Sequence, residues 1–181
     1  MKILIASDVH GSYSAVKKLT EIMKEEGAEE LVLLGDIYNH GPRNPFPEEY
    51  APMKVAETLN GIKNLTVIKG NCDSEVDEMI SDFPFSESAT IFCDGKKIFL
   101  THGHKYNVDN VPLFYDVVIY GHFHVGFITE KDGIVFANPG SVSLPKENSQ
   151  KGYLLLDNGI LYLKNTEGTV LGKKILGDFR K

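Results

Sequence analysis

The stretch that decides the fold is Lys2-Ile3-Leu4-Ile5-Ala6-Ser7-Asp8-Val9-His10-Gly11. Its first six residues, 2–7, are mainly apolar and predict a buried strand, and the run from Asp8 to Gly11 predicts a loop. Apolar residues then recur at helical spacing over 12–26, and either Ser12 or Ser14 could cap that helix. The chain therefore begins with a strand, a polar loop and an amphipathic helix.

A second apolar run, Leu31 to Leu34, predicts another buried strand that ends in Gly35-Asp36. A strand, a helix and a strand in this order favour a parallel pair, whose carboxyl ends meet at one edge of the sheet. Open α/β sheets bind their ligands at that edge. We therefore expect Asp8, His10 and Asp36 to lie close together.

The rest of the chain changes character near its middle. The first half continues with a helix predicted at 53–62, a strand at 65–68 and a short helix at 75–80. In the second half, hairpins are predicted around Asp94-Gly95, Asp132-Gly133 and Asn158-Gly159, so we expect mostly antiparallel strands there. Because no linker or internal repeat divides the sequence, residues 1–181 are predicted to form a single domain.

Polar clusters follow five of the apolar strands. They are Asp8-x-His10, Gly35-Asp36, Gly70-Asn71, His102-x-His104 and Gly121-His122-x-His124. Each cluster alone could be a helix cap, a turn or a satisfied histidine, but five at successive strand ends point to a shared metal site. Carboxylate, imidazole and amide ligands suit Mn, Fe, Co, Ni or Zn better than Ca or Mg.

Composition narrows the classes of partner and compartment. With 19 basic and 25 acidic residues the formal net charge is -6, which argues against long nucleic acids and anionic membrane surfaces. The two cysteines, Cys72 and Cys93, are too few for a disulfide framework, so a reducing cytoplasm is expected. The first apolar run is too short for a signal peptide or a membrane span.

The ordered motifs resemble the calcineurin-like metallophosphoesterase superfamily, and more narrowly its small bacterial YfcE-type phosphodiesterases. The narrower resemblance rests on residues 35–44, 70–77, 101–104 and 138–143. It implies an α/β protein built as a four-layer α/β/β/α sandwich with two mixed β-sheets. It also implies two divalent metal ions, Mn²⁺ first, with Ni²⁺, Fe²⁺, Co²⁺ or Zn²⁺ as alternatives.

The resemblance further implies the ligands and their roles. One ion would be held by Asp8, His10, Asp36 and His124, and the second by Asp36, Asn71, His102 and His122. Asp36 would bridge them, and Asp36, Asn71 and His102 are the predicted catalytic residues. Two such ions lower the pKa of a bridging water, so the expected reaction is hydrolysis of a small phosphodiester by a metal-bridging hydroxide.

One departure from the family pattern bears on selectivity. Most of the superfamily has a histidine after the asparagine of Gly-Asn, paired with the next acid and assigned as the general acid; here these positions are Cys72 and Asp73. A thiol is a poorer proton donor than imidazolium, so weak phosphomonoesterase activity is expected. The other interpretation of Cys72 is a small buried apolar side chain.

Substrate contacts are predicted from the loops around the site. The predicted residues are Asn39, His40, Arg43, Cys72 and His104. Arg43 suits bidentate phosphate binding, although its loop could equally be held by internal turn contacts. His104 could support a ligand or touch the substrate, and the segment 138–143 could approach the site or form a plain turn.

A non-catalytic, metal-binding interaction module of the same fold is the alternative function. The retromer subunit of this fold also lacks a histidine at the position of Cys72. The complete set of competent ligands in this chain favours catalysis instead, and a nuclease on long nucleic acid is a weaker third hypothesis. Homo-oligomer formation is suggested by the resemblance alone.

Overall fold

The structure, a computed structural model, describes residues 2–177 of the chain. Met1 and residues 178–181, the ends of the predicted domain, lie outside the described residues. The helices are α1 Tyr13–Glu26, α2 Pro52–Asn60 and α3 Glu75–Met79. The strands are β1 Lys2–Ala6, β2 Glu30–Leu33, β3 Leu65–Ile68, β4 Phe85–Ser86, β5 Ala89–Cys93, β6 Lys96–Thr101, β7 Val117–Tyr120, β8 Gly126–Lys131, β9 Ile134–Pro139, β10 Gly152–Asp157, β11 Ile160–Asn165 and β12 Val170–Ile175.

The first sheet has seven strands in the order β12-β11-β10-β1-β2-β3-β4. Strands β1 to β4 run parallel to one another, because helix α1 and the longer segment containing α2 return the chain to the same end of the sheet. The last three strands of the chain then join this sheet, and β10 pairs antiparallel with β1. The sheet is therefore mixed.

The second sheet has five strands in the order β5-β6-β7-β9-β8. The three predicted hairpins of the chain are present: β5–β6 and β8–β9 in this sheet, and β10–β11 in the first. The expectation of a mostly antiparallel second half is confirmed for β5–β6, β8–β9, β10–β11 and β11–β12, whereas β6 with β7 and β7 with β9 are parallel. The connection 102–116 crosses over the sheet instead of turning back, and hairpin β8–β9 inserts its second strand beside β7.

Three apolar clusters hold these layers together. Helices α1 and α2 cover the outer face of the first sheet with buried residues such as Leu19 and Leu59. The inner faces of the two sheets meet around Ile5, Val32 and Ile119. The outer face of the second sheet is covered by the irregular segment 102–116 rather than by a helix, within the part of the chain that the structure describes.

The predicted α/β fold with two mixed sheets is confirmed. Helix α1 is capped by Ser12, whose Oγ accepts the backbone N–H of Ala15 at 3.3 Å. The sequence did not indicate β4 or β12. Within residues 2–177, no helix has both the length and the apolar character needed to cross a membrane.

Candidate metal centre

All seven predicted ligands sit in loops that leave the carboxyl ends of five strands. Asp8 and His10 follow β1, Asp36 follows β2, Asn71 follows β3, His102 follows β6, and His122 and His124 follow β7. Five of them have left-handed backbones, with φ of 57° at Asp8, 51° at His10, 55° at Asp36, 68° at His122 and 62° at His124. Such conformations cost roughly 1–3 kcal/mol each and concentrate at functional sites.

Two glycines allow these loops to approach one another. A Cβ at Gly121 would lie 1.8 Å from Ser7 Oγ and 2.7 Å from Asp8 Oδ2. A Cβ at Gly70 would lie 2.2 Å from Asp36 Oδ1. Neither distance is compatible with a side chain, so both glycines are required for the packing of the ligand loops.

Three of the histidines have their tautomer fixed by backbone carbonyls. His10, His102 and His124 each present Nδ1 to a carbonyl oxygen, so Nδ1 must donate, and in the neutral ring Nε2 carries the lone pair. The acceptors are Asn39 at 2.7 Å, Leu34 at 2.6 Å and Leu144 at 2.6 Å, respectively. Histidines that bind metals are commonly oriented in this way.

The first group of donor atoms is formed by Asp8, His10 and His124. The Nε2 atoms of His10 and His124 lie 3.2 Å apart, and His124 Nε2 lies 3.4 Å from Asp8 Oδ1. Asp8 Oδ1 is buried and has no hydrogen-bond partner among the described residues. Two facing lone pairs beside an unsatisfied carboxylate oxygen need a cation, so these residues fit a metal ion.

A second group of donors surrounds His102 Nε2. This nitrogen lies 3.1 Å from Asn71 Oδ1, 3.3 Å from His122 Nδ1 and 3.4 Å from Asp36 Oδ1. The other oxygen of Asp36, Oδ2, lies 3.8 Å from His10 Nε2 in the first group. One carboxylate oxygen of Asp36 therefore faces each group, which is the arrangement expected of a bridging carboxylate.

The shifted pKa values in the cluster indicate that its carboxylates favour a positive charge nearby. Burial opposes ionisation of Asp36 and Asp8, but nearby histidines outweigh burial and lower the pKa of both carboxyl groups. Burial likewise disfavours a charged His102, yet the hydrogen bond to Asp36 and the charge of Asp8 raise the pKa of His102 to about 9. A proton on His102 Nε2 and a metal ion at that nitrogen would serve the same electrostatic need.

A cleft of about 410 Å³ lies beside this cluster. It is lined by Asp36, Asn39, Gly41, Pro42, Arg43, Asn44, Asn71, Cys72, His122, His124 and Lys146. Three predicted substrate residues, Asn39, Arg43 and Cys72, are among the lining residues.

The other two predicted substrate residues do not line the cleft. The ring of His40 packs against Phe46 at 4.4 Å and Tyr50 at 5.5 Å, measured between centroids. His104 is exposed, and its ring lies 5.4 Å from that of His102. Their roles toward a substrate stay predictions.

Cys72 is half-buried between the cluster and the cleft. Its backbone N–H donates to Asp36 Oδ1 at 2.8 Å, and its Sγ accepts from Asn71 Nδ2 at 3.3 Å. Burial, followed by the negative charge of Asp36, raises the pKa of the Cys72 thiol to about 12. The thiol is therefore neutral and a weak acid.

Asp73 has a structural role that sequence reasoning missed. Its carboxylate accepts the backbone N–H groups of Asp36 at 2.8 Å, Ile37 at 2.8 Å and Gly70 at 2.7 Å. Burial raises the pKa of Asp73 to about 6, although these three donors favour the ionised form. Asp73 thus ties the Asp36 loop to the Asn71 loop.

The segment 138–143 supports the site from behind. The hydroxyls of Ser141 and Ser143 donate to the backbone oxygen of Asp8 at 2.7 and 2.9 Å. Asn138 Nδ2 donates to the backbone oxygen of Gly121 at 2.7 Å. Polar side chains in an Asn-Pro-Gly-Ser turn were the only sequence signal for this role.

Comparison with known proteins agrees with the geometry. The family model of the calcineurin-like phosphoesterase superfamily domain matches residues 1–159. The chain belongs to the calcineurin-like phosphoesterase superfamily. Within this superfamily it is 44% identical to phosphodiesterase YfcE of Escherichia coli K12 over 165 residues, which cover 89% of this chain and 90% of YfcE. The structure of E. coli YfcE superposes with a TM-score of 0.94 and 39% identity, covering 98% of this chain and all of that one.

Two further comparisons show lower similarity. Phosphodiesterase MJ0936 of Methanocaldococcus jannaschii is 31% identical over 77% of this chain and 83% of its own length. Vacuolar protein sorting 29 from Cryptosporidium parvum superposes with a TM-score of 0.67 at 19% identity, over 96% of this chain and 97% of that one. At that identity the likeness shows the fold alone.

Proposed function

We propose that this chain is a metal-dependent phosphodiesterase that hydrolyses a small phosphodiester at a binuclear centre. The observation that carries the proposal is the cluster of lone-pair nitrogens and carboxylate oxygens beside the cleft, with Asp8 Oδ1 buried and unsatisfied. The 44% identity to a phosphodiesterase over most of the chain supports the same reaction.

Each ligand has a role in this proposal. One divalent ion would be held by Asp8, His10 and His124. The other would be held by Asn71, His102 and His122, and Asp36 would bind both ions. The bound ions supply the chemistry, because they lower the pKa of a bound water and stabilise charge on the phosphoryl oxygens. The backbone hydrogen bonds of His10, His102 and His124 orient the rings, so that Nε2 of each ring faces the cluster.

Weak monoesterase activity follows from the chemistry of Cys72. Its neutral thiol lines the cleft where a histidine could carry positive charge and a transferable proton. A phosphodiester carries one negative charge and a monoester about two near neutral pH, so the diester needs less counter-charge. The proposed enzyme therefore prefers diesters.

A non-catalytic interaction module is the less favoured function. Such a module does not need two complete ligand groups with fixed histidine tautomers, whereas a hydrolase does. The proposed use of manganese, a single domain, a cytoplasmic location and a homo-oligomer stay predictions.

The test is to purify the protein with Mn²⁺, measure bound metal, and compare hydrolysis of bis-p-nitrophenyl phosphate with that of p-nitrophenyl phosphate. We expect metal-dependent diester hydrolysis that exceeds monoester hydrolysis and is lost in Asp36→Ala. Asp36→Asn separates charge from shape, because asparagine tolerates the left-handed backbone at this position. Full activity in metal-free protein would refute the proposal.

A further inference from the structure

We propose that Lys146 is a substrate-binding residue that contacts the phosphate group in the cleft. The proposal rests on the proposed function and extends it, because Lys146 is none of the predicted ligands or substrate residues. Two observations carry it: the attachment of its segment to the candidate metal centre, and its unpaired charge beside the cleft.

The segment that bears Lys146 is attached to the ligand loop of β7 by two hydrogen bonds. The backbone N–H of Lys146 donates to the carbonyl of His124 at 3.0 Å, and His124 Nδ1 donates to the carbonyl of Leu144 at 2.6 Å. Ser141 and Ser143 fasten the same segment to the backbone oxygen of Asp8. The backbone of Lys146 is therefore fixed beside the centre by contacts that do not involve its side chain.

The Lys146 side chain is exposed and forms no ion pair or hydrogen bond within residues 2–177. Lys151, in the same connection, is instead paired with Glu48 at 3.4 Å. Arg43, from a separate loop, also lines the cleft without an acidic partner among the described residues. Asp36, a predicted metal ligand, is the one acidic side chain among the residues that line the cleft.

Phosphodiester hydrolysis makes use of such a cation. Hydroxide adds to phosphorus as the bond to the leaving alkoxide breaks, so negative charge accumulates on oxygens around phosphorus in the transition state. Cys72 cannot neutralise this charge, because its side chain carries no positive charge in either protonation state. Lys146 can do so, and its flexible stem allows the ammonium group to reach a phosphate bound in the cleft.

The variants separate charge from structure. Lys146→Met removes the charge and keeps an unbranched side chain, whereas Lys146→Arg keeps the charge. Lys131→Met is the matched control, because Lys131 is exposed, unpaired within residues 2–177, and lies at the end of β8 opposite to Gly126. Gly126, by contrast, contacts the segment that bears Lys146, because its backbone N–H donates to Ser149 Oγ.

Two readouts are needed on the Mn²⁺-loaded proteins. The first is kcat and KM for bis-p-nitrophenyl phosphate at several ionic strengths, and the second is calorimetric binding of inorganic phosphate. For Lys146→Met we expect unchanged metal content, kcat/KM and phosphate affinity each lower by about tenfold, and a shallower salt dependence. Lys146→Arg should stay within about threefold of the unmodified protein, by the same charge argument.

Equal phosphate affinity and equal kcat/KM in Lys146→Met and Lys131→Met would overturn the inference. Loss of bound metal in Lys146→Met would overturn it as well, since the role would then be structural. If the unmodified protein hydrolyses no diester, the proposed function fails, and phosphate binding still decides the role of Lys146. Weaker phosphate binding in Lys146→Met alone would then support a contact with phosphate.

Discussion

Asp73 is a carboxylate next to the candidate metal centre that binds backbone N–H groups instead of the substrate. It follows Asn71 and Cys72 directly, at the position where most of the superfamily has the acid paired with the general-acid histidine. The structure turns it toward three backbone N–H groups of the two ligand loops. Asp73 therefore contributes to activity by holding Asp36 in position.

Asp73→Asn should therefore reduce both stability and metal content. The amide places an NH₂ group against backbone N–H donors, so the free energy of unfolding should fall by about 2 kcal/mol. Urea unfolding and measurement of bound Mn²⁺ test this. Asp82→Asn is the control, since the carboxylate of Asp82 has no partner within residues 2–177. Equal stability and metal content in the two variants would contradict the role assigned to Asp73.

Cys72→His should raise monoester turnover relative to diester turnover. A Cβ on Gly41 would lie 3.1 Å from Cys72 Sγ, so little space exists on that side and an imidazole is expected to turn into the cleft. There it can add positive charge and a proton for the leaving alkoxide. Steady-state rates with both p-nitrophenyl substrates measure the ratio, with Cys72→Ser as the control. An unchanged ratio in Cys72→His means that position 72 does not set selectivity.

The ligand loops at the ends of β1 and β7 depend on the absence of a side chain at Gly121. A methyl group there would meet Ser7 Oγ and Asp8 Oδ2, so Gly121→Ala must displace Asp8. We expect unfolding free energy to fall by about 1–3 kcal/mol and bound metal to decrease. Gly133→Ala provides the control, because its Cβ would have no neighbour within 4 Å and only its backbone, at φ 78°, is strained. Normal metal binding by Gly121→Ala would contradict this account of the loops.

Local patterns predicted most strands and helices, because apolar runs and Asp-Gly or Asn-Gly turns are short-range signals. The missed strand β12 alternates exposed and half-buried residues, including lysines and a glycine, and β4 has two residues, so neither has a clear apolar pattern. Pairing between distant segments was not readable either, since nothing local indicates that β10 joins β1.

The predicted ligands converge because they follow strands whose ends share an edge, which the sequence can indicate. The supporting residues could not be predicted in the same way. Asp73 and Ser141 act on backbone groups of segments far away in the chain, and the position of Lys146 depends on where its loop docks.

Across the whole molecule, a partly buried ion pair joins helix α1 to the hairpin β10–β11. Glu26 of α1 accepts the hydroxyl of Tyr153 at 2.8 Å and pairs with Lys164 of β11. Burial opposes ionisation of Glu26, but the two partners outweigh it and lower its pKa from the ordinary value of 4.5. The pair therefore stabilises the fold above that value and loses its effect as the pH falls through the lowered pKa.

Glu26→Gln should then destabilise the protein by about 1 kcal/mol at pH 7, and the difference should shrink in acid. Urea unfolding at pH 7 and near pH 3.5 measures this. Glu57→Gln, on an exposed face of α2 and without an ion pair in the described chain, should have little effect at either pH. A difference between Glu26→Gln and the unmodified protein that is constant with pH would contradict the assignment.

In the proposed reaction, two divalent ions that are joined by Asp36 carry diester hydrolysis. Its most direct test is a titration of metal-free protein with Mn²⁺, in which bound metal and the rate of bis-p-nitrophenyl phosphate hydrolysis are measured together. We expect the rate to rise until two ions are bound per chain and then to stay constant. A rate that is maximal with one ion, or that does not depend on metal, would contradict it.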